Sequence, residues 1–129
     1  NVTNTARVFD LMGADDVTLE GMTLRGGELA VLGAHSWDSD RVTVRNNEIV
    51  SNDSTGIYVD ISNERWTITG NVVHANRVNG IEVREGDALI AGNQVSANGG
   101  VGIYASETSA GAAFTVVVKR LREVFNVKA

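Results

Sequence analysis

The chain of 129 residues contains no cysteine and no proline. Without cysteine there is no disulfide framework, no thiolate metal site and no thiol nucleophile. No apolar run approaches the roughly 20 residues that cross a bilayer as a helix, so no membrane span is expected. The opening NVTNTARVFD lacks the charged-then-apolar layout of a secretory leader, and the missing initiator Met suggests an excised or processed chain. Aromatic residues are scarce, at 5%. Basic residues are in deficit: 11 Lys and Arg stand against 16 Asp and Glu. Lys119, Arg120, Arg122 and Lys128 against Glu123 give the stretch from Phe114 a charge of +3, which leaves −8 on the remainder of a chain of net charge −5. So acidic a body repels a phosphate backbone, and no nucleic-acid partner is expected.

What is present is a repeat. RVTVRNNEIVSNDSTGIYV from Arg41, RWTITGNVVHANRVNGIEV from Arg65 and DALIAGNQVSANGGVGIYA from Asp87 align without gaps. Their equivalent positions Val42, Trp66 and Ala88 are 24 and 22 residues apart, and DVTLEGMTLRGGELAV from Asp16 places Val17 another 25 before Val42. Each copy holds three short alternating stretches, such as Trp66-Thr67-Ile68, Val72-Val73-His74 and Ile81-Glu82-Val83. Alternation with β-branched residues reads as strands with one face buried. Three strands in 22–25 residues leave no room for a crossover helix, and no leucine-rich pattern is present. The pattern therefore predicts an all-β solenoid of about four to five coils, each pairing with its neighbours at about 4.8 Å. The lack of proline fits, because nearly every backbone N–H belongs to a ladder.

The corners support the same reading. Asn47, Asn71 and Asn93 share one phase of the repeat, and Asn52, Asn76 and Asn98 another. Equal phase means vertical adjacency, so each set is expected to form a ladder of amides that satisfies buried corner groups. Gly70, Gly92, Gly56, Gly80 and Gly102 are read as structural, not as a phosphate loop.

With Thr-Ile-Thr-Gly-Asn-Val-Val at 67–73 and Asn-Gly-Ile-Glu-Val at 79–83, each with counterparts in neighbouring copies, the chain resembles the right-handed parallel β-helix proteins. This group includes pectate lyases, polygalacturonases, alginate epimerases and many surface proteins. The resemblance covers residues 16 to 106 and implies a single-stranded right-handed coil and an extracellular or cell-surface setting. It also implies that substrate lies along the outside of the sheet of Gly-Ile-x-Val strands. The paired-Asp signatures and the Arg-x-Lys motif of polygalacturonases are missing, so no catalytic residue carries over.

Residues 1–129 read as one domain, with 112–129 a terminal segment. Val8-Phe9-Asp10-Leu11 reads as a partial first coil. Aligning Phe114 with Ala88 makes Phe114–Val118 a further strand. From Val117 or Val118 through Leu121, Val124/Phe125 and Lys128 the apolar spacing is helical, which predicts a short amphipathic cap. Left uncovered, that tail or the coil ends would serve self-association.

Alternation points Ile57, Ile81 and Ile103 inward with Val59, Val83 and Ala105. It assigns Asp10, Ala30, Tyr58, Glu82 and Tyr104 to one outward column and Leu32, Asp60, Arg84 and Ser106 to the next. Tyr58, Asp60, Glu82, Arg84 and Tyr104 offer aromatic faces beside carboxylate and guanidinium groups, which suits a polysaccharide; an ordinary exposed sheet carries such residues too. Asp60 and Glu82, about 8 Å apart by strand rise and coil spacing, match the about 6.5–9.5 Å carboxyl separation of an inverting glycoside hydrolase. An Asp60–Arg84 ion pair explains the same residues without catalysis, while a β-elimination route needs a Tyr or Arg base, Arg84 among the candidates, and a cation to neutralise the uronate carboxylate. The longest connection, Gly33–Asp40, adds His35 and Trp37 as sugar contacts, and Asp38 and Asp40, with Asp60, as oxygen donors for Ca²⁺; a solvated loop is the simpler account. His74 faces packing or solvent. Two functions stay open: carbohydrate binding with or without processing, and a non-catalytic structural or adhesion segment of a surface protein.

Overall fold

The computed structural model describes residues 5–84 and 87–106 in full, and the backbone of two later strands, Phe114–Val117 and Phe125–Lys128. After β1 (Arg7–Asp10), twelve strands fall into four triplets. These are β2 (Thr18–Glu20), β3 (Thr23–Arg25) and β4 (Leu29–Gly33), then β5 (Thr43–Arg45), β6 (Glu48–Val50) and β7 (Ile57–Val59). The third coil holds β8 (Thr67–Thr69), β9 (Val72–His74) and β10 (Ile81–Val83), and the fourth β11 (Ala88–Ala91), β12 (Gln94–Ser96) and β13 (Ile103–Ser106). β14 (Phe114–Val117) and β15 (Phe125–Lys128) follow. Every pairing is parallel, and the strands stack into sheets ordered β1-β4-β7-β10-β13-β15, β14-β11-β8-β5-β2 and β12-β9-β6-β3. This is the predicted solenoid: a strand of three residues closes too little area to persist alone, and its partners lie one coil away.

The interior is built from columns. Leu19, Val44, Ile68 and Ile90 stack from the second sheet, and Leu24, Ile49, Val73 and Val95 from the third. Ile57, Ile81 and Ile103 with Val59, Val83 and Ala105 close the triangle. All are buried, and each fully buried Ile or Val contributes about 1.5–3 kcal/mol.

Two corners carry the amide ladders expected from the Asn phases. Asn71 Oδ1 accepts from the backbone N–H of Asn47 (3.0 Å) and from its side-chain Nδ2 (3.2 Å); Asn93 does the same for Asn71 at 2.9 and 3.0 Å. Asn76 serves Asn52 and Asn98 serves Asn76 in the same way at the second corner. Ahead of each ladder runs a column of left-handed residues: Gly21, Asn46, Gly70 and Gly92 at the first, Gly26, Ser51, Ala75 and Ala97 at the second. Alanine in this conformation costs about 1–2 kcal/mol, which the ladder's hydrogen bonds offset. A third corner has different chemistry. Asn63 accepts from the N–H of Ser39 (3.0 Å) and donates to the carbonyls of Gly33 and Ala34, while buried Trp66 donates from Nε1 to Ser39 O at 2.8 Å.

Phe114 pairs with Ala88, as the alignment predicted. The helical cap needs correction at its end: Phe125–Lys128 is a strand, parallel to β13 with Phe125 opposite Ile103. Backbone pairing onto an open sheet edge satisfies donors and acceptors that a helix there would leave unpaired. Val118, Leu121 and Val124, the other positions of that cap, lie outside the described residues.

Candidate functional site

The outer face of the six-stranded sheet places Asp10, Leu32, Tyr58, Glu82 and Tyr104 in one register column. The sequence reading assigned Ala30 to this column and Leu32 to the one beside it; both are corrected. The register steps 25 residues at Leu24–Ile49 and 26 at Val31–Ile57, so the first coil is one residue shorter before this strand. Leu29–Gly33 is apolar and buried throughout, so alternation sets no phase in it, and Ala30 packs in the core. The adjoining column runs through Asp60 and Arg84, whose amides donate to Gly33 O and Val59 O at 2.8 and 2.9 Å.

Glu82 is only 6% exposed and fully engaged. Asn79 Nδ2 donates to Oε1 and Arg84 Nε to Oε2, each at 2.8 Å. Arg84 therefore pairs with Glu82, two residues back on its own strand, and not with Asp60, which accepts from the Ile61 N–H at 2.8 Å. The Arg84 guanidinium carbon lies 5.8 Å from the ring centres of both Tyr58 and Tyr104, a cation–π clamp spanning three coils. The hydrogen bond to Glu82 strengthens the hold of Arg84 on its proton, and burial pushes the Tyr58 phenol up from its ordinary value. Both carboxylate oxygens of Glu82 are thus held, one of them by a guanidinium.

Beside this cluster an open groove of about 420 Å³ crosses the first three coils. Tyr58, Asp60 and Glu82 line it, together with Leu32, Leu29, Arg7 and Glu28. Arg84 and Tyr104 are not among its lining residues; Tyr58 belongs both to the groove and to the clamp. The volume falls within the about 300–1,000 Å³ of small-ligand sites.

The 33–40 connection stands apart from the groove, apart from Ala34. His35, Trp37 and Asp38 are exposed, and the Trp37 ring lies over Gly13, where an added Cβ would meet its Cε3 at 3.5 Å. Asp40 is occupied in the backbone: Oδ1 accepts from the Glu64 N–H at 2.8 Å, and Oδ2 stands 3.7 Å from Arg65. Repulsion from Asp40 raises the carboxyl of Asp38. Among the described residues no three His, Asp or Glu side chains are grouped to hold a metal ion. His74 (β9) and Glu48 (β6) share the four-stranded sheet, away from the groove, with His74 Nε2 3.0 Å from Glu48 Oε2.

Sequence reasoning missed Asn79, Arg7, Glu28 and Leu29. Asn79 is matched by Thr55 and Val101 in the flanking coils, so no repeat flagged it; its place three residues before Glu82 was the available signal. Arg7 and Glu28 lie where the first coil departs from the repeat.

Residues 1–116 match the family described as the right handed beta helix region. The chain belongs to this family, whose fold is compatible with carbohydrate-active and structural roles alike. No curated protein and no solved structure matches it. Among the described residues no helix is long and apolar enough to cross a membrane.

Proposed function

We propose that this β-helix binds a polysaccharide along the outer face of its six-stranded sheet, in the groove bordered by Tyr58, Asp60 and Glu82. The observation that carries the reading is the groove itself, lined by a half-buried tyrosine, by Leu29 and Leu32, and by the carboxylates of Asp60, Glu82 and Glu28. A sugar ring presents C–H faces to the aromatic and aliphatic surfaces and hydroxyls to the carboxylates. The occupation of both Glu82 oxygens by Asn79 and Arg84 supports binding over hydrolysis, because a catalytic carboxyl has to reach the scissile bond. Arg84, stretched between two tyrosines, keeps Tyr58 in a single orientation before any ligand arrives, which lowers the entropy lost on binding.

Isothermal calorimetry against a panel of oligosaccharides tests this. Saturable binding to the wild-type chain is expected, weakened about tenfold, or about 1.4 kcal/mol, by Tyr58→Ala. An absence of binding at millimolar concentrations across the panel overturns the proposal and leaves the structural or adhesion role.

A further inference from the structure

We infer that Asn79 and Tyr104, which lie outside the groove, are positioning residues for its sugar-binding face and govern its affinity from the third and fourth coils. This rests on the polysaccharide-binding reading above and adds what holds that face in place. Tyr58 and Glu82 line the groove, whereas Asn79, Arg84 and Tyr104 do not. Both lining residues are nevertheless held by those outside it. Asn79 Nδ2 donates to Glu82 Oε1 and Arg84 Nε to Oε2, each at 2.8 Å, and the Arg84 guanidinium carbon lies 5.8 Å from the ring centres of both Tyr58 and Tyr104. The contacts form one relay, from Asn79 through Glu82 and Arg84 to Tyr58, with Tyr104 as the second aromatic contact of the guanidinium.

A second observation ties this relay to the fourth coil. Asn79 Oδ1 accepts from the Val101 N–H at 2.8 Å, and a Cβ added at Gly100 would come within 2.5 Å of that oxygen, so the amide is packed against the coil that follows. Tyr104 stands on β13, in register with Glu82. The Arg84 side chain is 40% exposed, and a long side chain held at one point keeps much of its rotamer freedom. Here Glu82 fixes Nε and the aromatic rings fix the guanidinium. Loss of either the Asn79 donor or the Tyr104 ring releases Arg84, and Tyr58 then loses the contact that orients it before a ligand arrives.

The test compares Tyr104→Phe, which keeps the ring, with Tyr104→Leu, which removes it, and with Asn79→Asp, which keeps the acceptor for Val101 but sets a like charge against Glu82. NMR of the ligand-free whole chain reads the Tyr58 ring resonances and the Arg84 Nε–H. Both should match wild type in Tyr104→Phe and shift in Tyr104→Leu and Asn79→Asp. Calorimetry with the oligosaccharide panel above, cellohexaose and hexagalacturonate among it, should give about three-fold weaker binding for Tyr104→Leu and Asn79→Asp, with Tyr104→Phe within about two-fold of wild type. Unmoved Tyr58 resonances or unchanged affinity in either of the first two variants, or an equal loss in Tyr104→Phe, overturns the inference. Should Asn79→Asp fail to fold, Tyr104→Leu against Tyr104→Phe decides alone. Where the inference fails but an oligosaccharide binds and Tyr58→Ala weakens it, the groove reading stands. A wild-type chain that binds no member of the panel overturns both.

Discussion

Replacing Asn71 by alanine removes the central rung of the first ladder, and the structure sets the size of the loss. Its Oδ1 accepts from the backbone and side-chain nitrogens of Asn47, and its Nδ2 donates to Val44 O at 2.9 Å and to Asn93 Oδ1 at 3.0 Å. Four hydrogen bonds vanish, each with a net contribution of about 1 kcal/mol. Two neighbours keep another partner, since Asn47 Nδ2 still reaches Leu19 O and Asn93 Oδ1 still receives the Asn71 N–H. The backbone N–H of Asn47 does not, and Asn47 and Asn71 are 3% and 1% exposed, so water cannot replace the lost acceptor without opening the corner. A destabilisation of about 3–5 kcal/mol follows, a large share of the about 5–15 kcal/mol that holds a domain folded. Urea unfolding followed by circular dichroism measures it, with Asn98→Ala, at the last described rung of the second ladder, as comparison. Asn98 makes three such bonds, at 3.0, 2.9 and 3.1 Å, so it should cost less. A loss below about 1 kcal/mol for Asn71→Ala, or a larger loss at Asn98, refutes the view that the ladder carries corner stability.

Two further perturbations probe the packing and the surface charges. At Gly80 an added Cβ would lie 2.6 Å from Gly102 O and 2.7 Å from Val95 Cγ1, so Gly80→Ala should cost about 1–3 kcal/mol in thermal unfolding. Gly80→Ala leaving the melting temperature unchanged contradicts the close coil contact there. The hydrogen bond from Arg41 lowers the Asp16 carboxyl below its ordinary 3.8, whereas repulsion from Asp40 raises that of Asp38. The Asp16 contribution to stability is thus present above the unfolded value and lost as pH falls through the lower folded one. The Asp38 contribution has the opposite sign: it is present at low pH and lost as pH rises through the raised folded value. Carboxyl NMR titration should find Asp16 below and Asp38 above 3.8, and the reverse order contradicts the assigned partners.

The legible parts of the fold were those that repeat. Asn47, Asn71 and Asn93 recur at one phase, and stacking turned that phase into contact. Ile57, Ile81 and Ile103 alternate cleanly with polar neighbours, so their inward direction followed. Ala75 and Ala97 gave no sign of their left-handed backbone, since nothing in alanine favours it; the Asn that follows each imposes it. Leu29–Gly33 offered no polar residue to set its phase, and the column containing Leu32 slipped by two residues. Around the site, the Tyr58–Glu82–Tyr104 column was readable from strand alternation. The partner of Arg84 was not, because long side chains choose between neighbours of similar distance by local geometry. Glu82 on the same strand, already fixed by Asn79, prevails over Asp60 one coil away. The tail's residues allow both readings: Phe125 and Lys128 fit the helical spacing, while Phe125 and Val127 alternate as in a strand, and the open edge of β13 decided for a strand.

The most direct test of the functional claim is a map of backbone amide shifts by NMR during titration with a binding oligosaccharide. Binding in the groove predicts perturbations concentrated in Leu29–Gly33, Ile57–Asp60 and Ile81–Arg84, with the outer faces of the other two sheets silent. Perturbations centred on β3, β6 and β9, or confined to the 35–38 loop, would contradict it.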